Sequence, residues 1–245
     1  MRRNMMSMTI SHRLSAAVLP LDGFTGRVLG QRVLCELDGV PLRRPLWKQD
    51  GWLVFPDLPP GEHRLALRCP GFERRTLSLS GDTRTEEAVI LNPGLGYAYP
   101  PETAFLSLTL SGLPEAQTQL FAGADDPRQL KLMKEAKAGD SAVKMFLRGP
   151  VPRPGWYLLR GKTTEAVFLR RVTVEGDAET ASPLAGKHSR GAALVPARLF
   201  PVAEGETLRI PFRDSGAAYL FCGGKLKTAE LRAGEKQSLT WNLEA

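Results

Sequence analysis

The sequence has no apolar run near the 18 residues that a membrane-crossing helix requires, so no transmembrane span is expected. Cysteine is scarce. Cys35, Cys69 and Cys222 are an odd set without metal-ligand spacing, which suits a reducing compartment better than a disulfide framework. His12, His63 and His188 are too few and too scattered for a metal cluster, and no metal site or cofactor is expected. There is no Gly-x-Ser-x-Gly elbow, no His-Glu-x-x-His, no phosphate-binding Gly-x-x-x-x-Gly-Lys and no strand-to-helix Gly-x-Gly-x-x-Gly. The first eight residues start basic and are expected to be a flexible terminus. Ser7, Thr9, Ser11, His12 and Arg13 break any run that would serve as an export signal. The expected location is the cytoplasm, or a particle assembled there.

Gly and Pro are what the chain has in quantity. Their 24 and 19 copies fall in short clusters along its length, as many short strands joined by turns require. With 42% hydrophobic and 24% charged residues the chain can bury a core, and its 245 residues suit two domains. The expected fold class is all-β, with two β-sandwich-type domains. A formal charge of +7 raises the question of nucleic acid. The charge is dispersed, however, and no basic block exceeds pairs such as Arg43-Arg44 and Arg170-Arg171. Solvated strand faces account for these pairs, and no specific nucleic-acid partner is expected.

Between Ile10 and Val18, Ile10, Leu14, Ala16 and Val18 share one parity while Ser11, Arg13 and Ser15 take the other, the period of a half-buried strand. Turn chemistry follows at Asp22-Gly23-Phe24-Thr25-Gly26. Further strands are expected at Val33 to Leu37, Trp52 to Phe55, His63 to Cys69, Phe72 to Leu79 and Ala88 to Leu91. They are separated by Asp50-Gly51, Asp57-Leu58-Pro59-Pro60-Gly61 and Pro70-Gly71.

This succession of turns, with Phe55 and Leu65 in the strands between them, resembles the carboxypeptidase regulatory-like domains over residues 9–92. The resemblance implies a transthyretin-like (prealbumin-like) β-sandwich. It also implies an accessory role, bracing or docking a partner, with no catalytic set of its own.

Residues 93–104 carry Pro, Gly, Tyr97 and Tyr99 and read as a linker, with a second β domain expected over 105–245. There Leu106, Leu108 and Leu110 alternate with Ser107, Thr109 and Ser111. Strands are expected again around Phe121, Val143 to Leu147, Trp156 to Leu159, Val167 to Val174, Leu208 to Phe212, Tyr219 to Cys222 and Leu239 to Leu243. Residues 128–137 fit either a helix, with Asp126 as cap and Pro127 at its first position, or a strand. Gly-Glu turns ahead of strands occur in both halves, so a duplication is one reading and shared turn chemistry the other.

Gly139-Asp140-Ser141 resembles the nucleophile block of some esterases, but it lacks their α/β scaffold and reads as a turn. His12 and His63 fall on inward parities and could be neighbours. Asp125-Asp126 and Glu86-Glu87 diverge on a strand, which is poor geometry for paired acid and base work. Cys69 reads as a small buried hydrophobe. Binding is weighed on aromatics, with Trp52, Trp156 and Trp241 expected in the core, Tyr157 beside Trp156 in its strand, and Trp47, Tyr97 and Tyr99 as the candidate interaction surface. The chain is expected to be non-catalytic, a structural or adaptor protein docking other subunits into a larger assembly such as a contractile, phage-tail-like particle. The alternative is a module binding carbohydrate or a surface polymer.

Overall fold

The computed structural model describes residues 12–43, 45–114, 118–125 and 130–244. The chain is all-β, and among the described residues the one helical element is a 3-10 turn at Gly30–Arg32. It divides into two compact units, Met1–Tyr99 and Pro100–Ala245. The tail expected at 1–8, the start of the strand expected from Ile10, and Asp126 and Pro127 lie outside the described residues.

In the first unit the strands are β1 (Leu14–Asp22), β2 (Leu34–Leu37), β3 (Val40–Pro41), β4 (Leu46–Trp47), β5 (Leu53–Pro56), β6 (Glu62–Arg68), β7 (Arg75–Ser80) and β8 (Thr85–Leu91). They form two four-stranded sheets, β4-β5-β1-β8 and β3-β2-β6-β7, with β1 and β8 parallel. Both sheets contribute to one core, in which Leu53, Leu65, Leu67, Leu79 and Leu91 are fully buried. At about 1.5–3 kcal/mol per buried leucine, these side chains dominate its stability. One parity expectation fails: Ser15 is buried, because β1 is a central strand with both faces covered, and its Oγ accepts a hydrogen bond from Leu58 N.

The boundary between the units falls inside the stretch expected as a linker. Pro93 bridges Phe72, Gly94 N donates to Gly71 O, and the first unit runs to Tyr99. Thr103 and Ala104 are already buried in the second unit.

That unit contains β9 (Ala104–Ser111), β10 (Thr118–Ala124), β11 (Lys131–Leu132), β12 (Ala142–Phe146), β13 (Gly155–Arg160), β14 (Thr164–Val172), β15 (Asp177–Thr180), β16 (Ala193–Val202), β17 (Thr207–Phe212), β18 (Gly216–Cys222), β19 (Lys225–Leu231) and β20 (Lys236–Asn242). The three-stranded sheet β17-β9-β20 packs on the stretch β16-β10-β18-β19 around Leu106, Leu108, Leu110, Leu120, Leu220 and Trp241. The same β16 also belongs to a ring, β11-β12-β15-β14-β13-β16, which closes because β11 pairs with β16. The ring is a small barrel filled by Leu130, Leu132, Met145, Tyr157, Leu159, Leu169 and Leu194. The described part of 128–137 thus contains a short strand, β11.

Strand β16 changes partner along its length. Residues 193–196 pair with β13 and 197–202 with β10. Pro196, which has no N–H to donate, stands at the changeover, where a ladder bond is dispensable. Opposite it Gly123 is required by space, since a Cβ there would lie 2.5 Å from Pro196 O.

Candidate functional site

Of the three residues expected as an interaction surface, two are in ring contact with each other. Trp47, on β4, packs half-buried against the core of the first unit. Tyr97 and Tyr99 do meet, with ring centroids 4.7 Å apart, and join Phe24 and Phe72 in an aromatic knot. Its polar centre is Asp22, the first residue of the Asp-to-Gly turn. Asp22 Oδ1 accepts from Phe24 N and Thr25 N, and Oδ2 accepts from the Tyr97 hydroxyl at 2.7 Å. Burial pushes the Asp22 carboxyl up, but these hydrogen bonds together outweigh it and hold the pKa below the usual aspartate value. Burial and the bond to Asp22 push the Tyr97 phenol up. The four rings meet edge to face at interplanar angles from 67° to 88°, so they offer no flat platform for a sugar ring.

Trp156 is not a residue of either main core. It lies on the opposite face of the nine-stranded sheet, half-buried, 4.8 Å from the Phe121 ring and 5.3 Å from Phe168. That face folds so that Phe121, Leu158, Val195 and Tyr219 bury one another in a small third cluster. At its margin the Arg160 guanidinium stacks 3.3 Å from the Tyr219 ring centre, and the Tyr219 hydroxyl donates to Asp125. Tyr157, one residue on, points into the barrel.

The histidines occupy three separate places. His12 meets Asp57 and His63 meets Asp38 at 2.7 Å, so each histidine has its own carboxylate partner. Both aspartates sit at turn tips with positive φ, 51° at Asp38 and 52° at Asp57. His63 Nδ1 faces the Asp38 carboxylate and Nε2 faces Pro59 O. Two acceptors around one ring favour the doubly protonated form, and the His63 pKa is raised, chiefly by Asp38 and then by Pro59. His188 is fully buried in the second unit, its Nε2 donating to Glu165 Oε1 at 2.5 Å, while its Nδ1 has no partner. The His188 side chain is sealed from solvent, whereas that of Glu165 is partly exposed. Asp140 of Gly139-Asp140-Ser141 accepts from Lys137 N at a turn, a structural role. Among the described residues, no three His, Cys, Asp or Glu side chains are grouped to hold a metal, and no helix is long and apolar enough to cross a membrane.

Sheet edges separate the strands more sharply than side-chain chemistry does. β3 and β4 are two residues long. β17 carries Pro211; β19 turns Lys225 and Lys227 to the face it shares with Leu220 and Cys222; β8 carries Glu86 and Glu87. Short length, proline and charge are the devices that discourage another strand from pairing.

The edge strand β20 has neither Pro nor Gly and is charged only at its first residue, Lys236. The edge strand β7 is similar. Its run Arg75-Thr76-Leu77-Ser78-Leu79-Ser80 has no Pro, no Gly and a charge only at its first residue, and among the described residues it pairs with β6 alone. The outward groups can be identified. Arg64 N donates to Asp38 Oδ1 and Arg64 O accepts from Asp38 N, so both backbone groups of Arg64 face away from β7. Ser78, paired with Arg64, is therefore a non-hydrogen-bonded partner. Its own N–H and C=O face outward, as do those of Thr76 and Ser80. Neither the composition of β7 nor its spacing marks it as an edge, which is why the sequence reading missed it.

No protein-family model matches the chain, and no curated protein matches it. Solved structures align at low similarity over most of its length. They include the Bacillus anthracis TIE protein, with 7% identity, 94% of this chain and 33% of that chain covered, and a TM-score of 0.25. The major pilin subunit BcpA of Bacillus cereus aligns with 9% identity, coverage of 93% and 98%, and a TM-score of 0.25. GBS52, the minor pilin of Streptococcus agalactiae, aligns with 12% identity, coverage of 93% and 95%, and a TM-score of 0.21. The chain spans about a third of the TIE protein's length. At these scores the alignments carry no argument about role.

Proposed function

We propose that this protein is a non-catalytic docking subunit that holds a partner polypeptide by strand addition at the edge of β7. The observation that carries the reading is that the outward N–H and C=O groups of β7 at Thr76, Ser78 and Ser80 are unguarded, a feature it shares with the edge strand β20 and not with β3, β4, β8, β17 or β19, which are short, charged or carry proline. An extended segment laid on such an edge gains main-chain hydrogen bonds without any special side chain. The first unit is read as carboxypeptidase regulatory-like, supported by its two four-stranded sheets and the turns at 22–26 and 57–61. Three buried, unpaired cysteines support folding in a reducing compartment such as the cytoplasm. Nothing in the fold singles out a contractile, phage-tail-like particle, so the proposal extends to a multi-subunit assembly and no further.

Ser78→Pro tests it. Proline removes an outward N–H and no bond to β6, so the fold should survive with unchanged thermal stability. Native sedimentation of the tagged protein from its source should show a heavy species that the variant no longer forms. A strictly monomeric wild type, or a variant that still enters the heavy species, refutes strand addition at β7.

A further inference from the structure

The barrel of the second unit gathers charge that is dispersed in the sequence. Its strands alternate in direction around the ring, so the connections β11–β12, β13–β14 and β15–β16 all lie at one end. They are tied together there. Ala136 and His188 exchange backbone hydrogen bonds, Gly139 N donates to Leu184 O, and Leu184 N donates to Asp140 O. From the inner side, the Glu165 carboxylate accepts from Ala185 N, Gly186 N and His188 Nε2.

On this platform stand Lys134, Lys137, Lys162, Lys187 and Arg190, all exposed. The carboxylates of the same loops are engaged: Glu135 with Lys187 at 3.0 Å, and Asp140 with Lys137 N. Among the described residues, Lys134, Lys137, Lys162 and Arg190 have no carboxylate within ion-pair distance.

We infer that this barrel end is a docking surface for an anionic phospholipid headgroup layer. The three connections contain no Phe, Tyr or Trp, so nothing offers bases a stacking platform, and four of the five cations are lysines, which act as point charges and lack the bidentate fork used to read nucleic acid. Between the cations the residues are mostly Ala, Gly and Ser, giving low relief, with Met133 as the exposed large apolar side chain and no cluster of aromatic anchors of the kind at the centre of protein interfaces. A flat, mobile layer of phosphates is the anion that fits flexible lysines on a low surface. Juxtaposed cations of this kind each strengthen attachment to such a layer several-fold at low salt.

The test is co-sedimentation of the full chain with phosphatidylcholine vesicles with and without phosphatidylserine at roughly a third of the lipid, across a salt series. The expected result is binding that requires phosphatidylserine and weakens with salt. Lys162→Glu/Arg190→Glu should lower that binding by about thirty-fold or more while melting like the wild type. The control Arg27→Glu/Lys48→Glu, which alters net charge equally in the first unit, should retain it. Equal binding to both vesicle types, no binding to either, equal loss in the control, or retention by soluble polyphosphate or an acidic protein without vesicle binding would each overturn the assignment.

Discussion

Replacing Glu165 with Ala should destabilise the second unit by roughly 3 kcal/mol, through three hydrogen bonds that converge on one carboxylate. Its oxygens accept from Ala185 N at 2.8 Å, Gly186 N at 3.2 Å and His188 Nε2 at 2.5 Å. The two amides lie near the surface and can recover part of the loss by bonding to water. His188 cannot, because its side chain is fully buried and its Nδ1 already lacks a partner. The truncation therefore leaves a buried ring with neither nitrogen bonded. With a urea dependence of about 2 kcal/mol per M, the midpoint should fall by about 1.5 M. In a Trp47→Phe/Trp52→Phe background, the remaining tryptophans, Trp156 and Trp241, both report on this unit. Glu165→Gln keeps one acceptor oxygen and should lose about half as much. A midpoint shift below about 0.5 M for Glu165→Ala would show that the loops are held by packing and not by the carboxylate.

The cysteines should be inert in the native state. Burial pushes the Cys35 thiol up to about 12 and raises Cys69 and Cys222, so at pH 8 a thiol reagent should label none until denaturant is added, and then three. Rapid labelling of the folded protein would contradict this. The His63–Asp38 pair should also leave a pH signature. The His63 pKa is raised above its ordinary 6.5, so its stabilisation is complete below 6.5 and is lost as pH rises through the raised value. The Asp38 pKa is lowered from 3.8, chiefly by its bond to His63, so its share is present above 3.8 and is lost as pH falls through the lowered value. The difference in melting temperature between wild type and His63→Gln should therefore be widest between about pH 4 and 6 and narrow by pH 8; a difference flat across that range would refute the coupling.

Most strands were legible because their alternation coincides with burial, as with Leu106, Leu108 and Leu110 against Ser107, Thr109 and Ser111. Two long strands were not. β16 reads Ala-Leu-Val-Pro-Ala-Arg-Leu-Phe-Pro-Val, and its prolines argue against a ladder unless the strand is known to change partners at Pro196. β19, Lys-Leu-Lys-Thr-Ala-Glu-Leu, is mostly polar because it is an edge with little of itself in the core. The sequence places Trp156 in a core because it lies in a strand. Its parity, opposite to Tyr157 and Leu159, places it on the other face, which no local pattern marks as half-covered. The candidate surface fared similarly: Tyr97 and Tyr99 meet each other, but around a buried Asp22 that local spacing does not connect to them.

The edge of β7 and the basic barrel end share one reason for being hidden. Each follows from which strands are neighbours, a property of topology that composition along the chain does not encode. Lys134 and Arg190 are more than fifty residues apart, yet a ring whose strands alternate in direction places every second connection at the same end. Charge counted in linear runs then finds only pairs, and a surface assembled from three loops is missed. The same rule links Glu165, at the start of β14, with His188, in the loop before β16. Wherever strands close into such a ring, charges should be summed over alternate loops, because those loops share a solvent-facing surface whatever their separation in sequence.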